Sequence, residues 1–109
     1  MAITANVDLG NGASASSCYI IVPNAYVKKF RPEEDGKSAK FKLIYDVDIY
    51  ENKSAADTFD LNIRLKKRIQ CRAVDHIKID YDPTTSDNPF KLAYTHLKTN
   101  SKLSSVSDA

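Results

Sequence analysis

His76 and His96 are the only two histidines in the sequence, so any acid–base or nucleophilic set would have to be built around one of them. Such chemistry needs a nucleophile, a base and an orienting group held together. Neither histidine lies in a recognisable local signature: His76 follows Asp75 at the start of a strand-like run, and His96 falls off the apolar stripe of a helix-like run. Both read as solvent-facing. The glycines Gly10, Gly12 and Gly36 make neither GxGxxG nor a phosphate loop, which argues against a nucleotide enzyme.

Asp80, Asp82 and Asp87 cluster before the helix-like run, and grouped carboxylates suit hard cations. The spacing lacks the glycine at the sixth place and the glutamate at the twelfth of an EF-hand loop, so turn and cap roles are the better reading. Cys18 and Cys71 stand far apart without a CxxC neighbour and give no zinc spacing with the two histidines. Residues 1–15 carry no basic segment leading into an apolar one, so no signal peptide is expected and the cysteines read as thiols rather than a disulfide. No cofactor, metal or small-molecule substrate is implied.

The basic set Arg64, Lys66, Arg68 and Arg72 alternates as one strand face, with Lys67 on the other. Such a face could follow a phosphate backbone, but no aromatic residues interleave with it to stack bases. A solvated face, or a surface meeting an acidic patch on a neighbouring protein, fits better, which makes these four a possible interface. The formal net charge of +2 is too small to select a partner.

The elements that would position these residues are mostly strands. With 42% hydrophobic and 28% charged residues, the 109-residue chain matches one ordinary globular domain, and no run approaches the ~18 apolar residues of a membrane span. "ITANVDLGNG" alternates and then stops at a turn signal. "CYIIVPNAYVKKF" is rich in β-branched and aromatic residues, with Pro23 either splitting it or forcing a bulge. "KFKLIYDVDIY" is the cleanest strand. "TFDLNIRLKKRIQCRAV" keeps an apolar residue at almost every second place, which predicts a long strand with a bend near Lys66–Arg68, and "HIKIDYD" adds another. The predicted core comprises Phe41, Leu43, Tyr45, Val47, Phe59, Leu61 and Ile63.

At Asn88 the period changes. Asn88 suits an N-cap and Pro89 the first helical position, and Phe90, Ala93, Tyr94 and Leu97 fall on one stripe. This predicts a helix over 89–98, too short to be stable alone and therefore docked through those four residues. The expected fold is mainly β: an antiparallel β-sandwich of about five to seven strands forming one domain over 1–100, with one short C-terminal α-helix. Residues 101–109 read as a flexible polar tail.

The layout of "VDLGNG", "AKFKLIYDVDIYENKSAAD" and "NPFKLAYTHLK" resembles the small virion structural proteins encoded among the tail genes of tailed bacteriophages. In that family a β-sandwich is followed by an "N-P-x-x-x-A-Y-x-x-L-K" helix, matched here by Asn88, Pro89, Ala93, Tyr94, Leu97 and Lys98. The resemblance implies a non-enzymatic structural component of the tail, baseplate or tail-fibre attachment. Its partners would be copies of itself and other virion proteins, with no membrane, and its place the virion, or the host cytoplasm during assembly. The alternative from the residues alone is a monomeric carbohydrate or host-surface binding module using loops 31–38 and 51–57, although these contain no Trp, Tyr or Phe. A nucleic-acid-binding protein ranks below both.

Overall fold

A computed structural model describes residues 1–10, 12–32, 39–71 and 74–109. Alternation with one apolar face produces long antiparallel strands: β1 (Ile3–Gly10), β2 (Ala13–Phe30) and β3 (Lys40–Tyr50). Two short helices follow, α1 (Lys53–Ala56) and α2 (Leu61–Lys66), then β4 (Arg68–Ile69), β5 (Ile77–Asp80), α3 (Pro89–Leu97) and β6 (Leu103–Asp108). All six strands join one antiparallel sheet in the order β4-β3-β2-β1-β6, with β5 also paired to β3. The protein is thus mainly β with a short helix near its C-terminus, as expected. This single continuous sheet is compatible with a sandwich. Among the described residues no helix is long and apolar enough to cross a membrane.

Residues of opposite polarity along each strand decide which face is covered. Ile3, Ala5 and Val7 of β1, Cys18, Ile20 and Val22 of β2, and Leu43, Tyr45, Val47 and Ile49 of β3 form one buried cluster with Ala93, Tyr94 and Leu97 of α3. Pro23 cannot donate to a ladder, and the β2–β3 register shifts between Ile21 and Asn24, so this run is one bulged strand. Gly10 and Gly12 both have positive φ and close the β1–β2 turn, a conformation that costs a glycine little. Both cysteines are buried free thiols.

Helix α3 starts where the sequence predicts and ends one residue earlier, at Leu97, with Lys98 as its C-cap. Asn88 Oδ1 accepts from Lys91 N at 2.9 Å, and Pro89 stands at the first helical position, where its missing N–H is not needed. The helix packs mainly on β2. Tyr94 pins it there: its hydroxyl accepts from Val22 N at 2.8 Å and donates to Met1 O at 2.7 Å.

Three expectations are corrected. The first is the tail: residues 103–108 form β6 along β1, with Leu103 buried and Ala109 N donating to Ala2 O at 3.0 Å. Six residues with only Leu103 and Val106 apolar look soluble by composition, but an edge strand needs one buried face and a backbone ladder rather than high hydrophobicity.

The second is the long strand over 58–74, whose described residues form α2 and the two-residue β4 instead. Asp60 caps α2 by accepting from Asn62 N and Ile63 N at 2.9 and 3.2 Å, and Asn52 caps α1 through Ala55 N at 2.9 Å. Leu, Arg, Lys and Asn dominate "LNIRLK", and without a β-branched majority or a strand partner the caps win over the period-2 pattern. Of the predicted core, Leu43, Tyr45 and Val47 are buried and Phe41 is half-buried, whereas Phe59, Leu61 and Ile63 are exposed.

The third is Phe90, which is exposed. It shares the stripe's angle but sits in the first turn of α3, ahead of Ala93, Tyr94 and Leu97, where docking on the sheet is anchored.

Candidate assembly surfaces

Four residues in a row of seven, Phe59, Leu61, Ile63 and Leu65, put large apolar side chains in water. Phe59 is 100% exposed, and α2 buries none of its residues. The cause is local: Asp60 ends the extended chain and starts a helix, so Phe59 is left in the bend between α1 and α2 with nothing beneath it. In a helix Leu61 and Leu65, four apart, share one side while Ile63 points elsewhere. A short helix apolar on more than one side, and capped rather than packed, is suited to being covered by something outside the domain.

Polar residues hold this corner in shape. Arg64 Nη1 donates to Thr58 O at 3.3 Å, Lys67 Nζ to Thr58 Oγ1 at 3.4 Å, and Lys53 meets Asp57 at 3.9 Å. Arg68 leaves the helix and pairs with Asp48 of β3 at 3.1 Å. The predicted basic strand face is therefore dispersed: Arg64 and Lys66 lie on α2, Arg68 on β4, and Arg72 falls outside the described residues. Of the alternative's loops, 51–57 is largely the capped helix α1, and residues 33–38 also lie outside the described residues.

A second surface lies beside α3. Leu43 of β3, Ile79 and Tyr81 around β5, and Leu92 of α3 line an open cavity of about 430 Å3. Asp80, Asp82, Thr95 and His96 add polar atoms to its lining. It exists because β5 extends the sheet past α3, which is mostly over β2, so the helix shelters β5 only along its flank.

Asp82 Oδ1 accepts from Thr84 N at 2.9 Å and from Thr84 Oγ1 at 2.7 Å, and these bonds hold its carboxyl below the usual carboxylate range. Asp80 is held low by its pairing with Lys42, and Asp87 pairs with Lys91 at 3.1 Å. The three aspartates thus serve a turn, a cross-strand ion pair and a helix start. Among the described residues no three His, Cys, Asp or Glu side chains are grouped to hold a metal.

His76 is exposed, as read from the sequence, whereas His96 is half-buried. His96 Nδ1 is 2.6 Å from Tyr45 Oη, in an edge-to-face arrangement of the two rings. Burial pushes the Tyr45 phenol up to about 12, so it stays protonated and holds the imidazole. His76 Nδ1 lies 2.7 Å from Asp46 Oδ1 at the surface. The sequence signal for His96 was its position three residues after Ala93 and one before Leu97 on a docked helix, which sets it at the flank of the buried stripe. Comparison with protein-family models, with curated proteins and with solved structures found no match.

Proposed function

We propose that this chain is a non-enzymatic structural component of a tailed-phage virion, in the tail, the baseplate or the fibre attachment, acting through protein–protein contacts. The observation that carries the contact half of this reading is the α1–α2 corner, where Phe59 is wholly exposed and three further apolar side chains stand half out of the surface. Exposed apolar residues in a cluster, rimmed by charge, mark a surface that is covered in use. The particle half rests on the resemblance carried by "AKFKLIYDVDIYENKSAAD" and "NPFKLAYTHLK".

A thin domain of this size gains stability by burying surface against neighbours, and a specific interface buries about 1,200–2,000 Å2 in total. Copies of the chain and other virion proteins are the partners this reading names, the assembled particle its destination and the host cytoplasm its place before assembly. Mass spectrometry of purified particles tests it. The protein should be present in mature virions at a fixed copy ratio, and its absence there, with free monomer in the infected cell, would overturn the reading.

A further inference from the structure

The apolar corner and the cavity beside α3 differ in shape and in charge, and each has what the other lacks. The corner is convex: Phe59 projects fully, with Leu61 and Leu65 on one side of α2 behind it and exposed Lys66 and Lys67 at the helix end. The cavity is concave, with Leu43, Ile79, Tyr81 and Leu92 in its wall and Asp80 and Asp82 at the same site. Lys42 already answers Asp80, so Asp82 is the carboxylate with only hydroxyl and amide partners among the described residues. At about 430 Å3 this open cavity has the size of pockets that take small apolar groups.

We propose that Phe59 of one copy inserts into the cavity beside α3 of a second copy of the same chain, with the basic end of α2 facing Asp82. This inference rests on the assembly reading and names its partner. The placement of the two features allows a head-to-tail contact, and the proposal takes that form. Leu43, in the cavity wall, and Tyr50, just ahead of α1, are seven residues apart on β3, roughly 23 Å at strand rise. Knob and hole are therefore separate patches, and a head-to-tail contact between them leaves each copy with one used and one open end, whereas a reciprocal two-fold pairing would use both and stop at a dimer. Repetition then gives a ring where the rotation closes and a filament where it does not. An acidic-rimmed cavity selects this knob over a neutral or acidic one, and the charge contribution weakens with salt while the Phe59 contact does not.

Sedimentation of the full chain over a concentration series, with two surface variants, tests the proposal. Phe59→Asp removes the knob and leaves the cavity, and Thr95→Trp, at an exposed α3 position in the cavity lining, blocks the cavity and leaves the knob. Circular dichroism and melting of each variant establish that it folds as the wild type does. The wild type should form species larger than dimers as concentration rises, and each variant alone should associate at least about thirtyfold more weakly, as for loss of an aromatic anchor. An equal mixture of the two variants should form heterodimers and nothing larger, because one intact knob meets one intact hole.

A Phe59→Asp protein that associates like the wild type overturns the proposal, as does a mixture in which the variants stay apart. A wild type that remains monomeric at every concentration yet occurs in virions also overturns it while leaving the structural reading intact, since the corner would then meet a different protein. Association blocked by Thr95→Trp alone would assign the cavity to some other segment and overturn the Phe59 assignment.

Discussion

The sheet under α3 and the α1–α2 corner are built from similar residues and use them in opposite ways. Under α3, Leu43, Tyr45, Ile49 and Leu97 are essentially inaccessible. At the corner, a comparable density of Phe, Leu and Ile is exposed, and the elements are held by Asn52 and Asp60 caps and by bonds to Thr58. One region draws its stability from burial, the other from capping. Apolar residues that do nothing for the fold of the domain are available for contact outside it.

The comparison breaks first at the C-terminal strand. Removing residues 101–109 strips β6 from β1, exposes the surface that Leu103 covers and deletes the Lys98–Asp108 pair. The expected loss is about 4 kcal/mol or more, from a buried leucine at roughly 2–5 and ladder bonds at about 0.5–1.5 each. Denaturant unfolding measures it, and an unchanged midpoint would return the segment to the role of a loose tail. Leu43→Ala should follow at roughly 2–5 kcal/mol, since the side chain is fully buried between α3 and the sheet. A loss under about 0.5 kcal/mol would mean that β3 shows its other face to the core.

Tyr94→Phe is expected to cost about 1–3 kcal/mol, because Val22 N–H, which donates to the phenol oxygen inside the core, is left without that partner. Urea titration of the variant against the wild type checks it.

The tyrosines also set an alkaline limit. Burial pushes Tyr45 up to about 12 and raises Tyr94 and Tyr50 as well, whereas an unfolded tyrosine ionises near ~10. Above about pH 10 the unfolded chain therefore releases protons that the folded chain retains, so stability falls as pH rises from there through 12. Below pH 10 these groups add no pH dependence. Tyr45→Phe should flatten the fall, and a variant as alkali-sensitive as the wild type would remove Tyr45 from this role.

What the sequence showed and what it hid follow the same division. Alternation in "KFKLIYDVDIY" and the Asn88–Pro89 start of α3 were legible because local preference and burial agree there. In "TFDLNIRLKKRIQ" they conflict: the period-2 spacing of Phe59, Leu61, Ile63 and Leu65 imitates a buried strand, while Asp60 and the Leu, Arg and Lys residues favour a helix. The corner was thus misread because its apolar residues are not core residues. β6 was hidden for the reverse reason, since its order comes from pairing with β1, a partner some hundred residues away that no local window contains. The cavity has no sequence signal at all, because Leu43, Ile79 and Leu92 meet only through the fold.

The smallest expected effect sharpens the comparison most. Leu61 is about half exposed on a helix that buries nothing, so Leu61→Ala removes little surface from contact with the rest of the domain and replaces leucine with a residue of slightly better helix propensity. The change in unfolding free energy should stay within about 0.5 kcal/mol, as for other surface substitutions. The same leucine-to-alanine change at Leu43 is expected to cost several times more, and measuring both under one set of conditions separates burial from residue type. A loss at Leu61 above about 1.5 kcal/mol would show that α2 packs on the sheet in solution, and the corner would then belong to the core rather than to an interface.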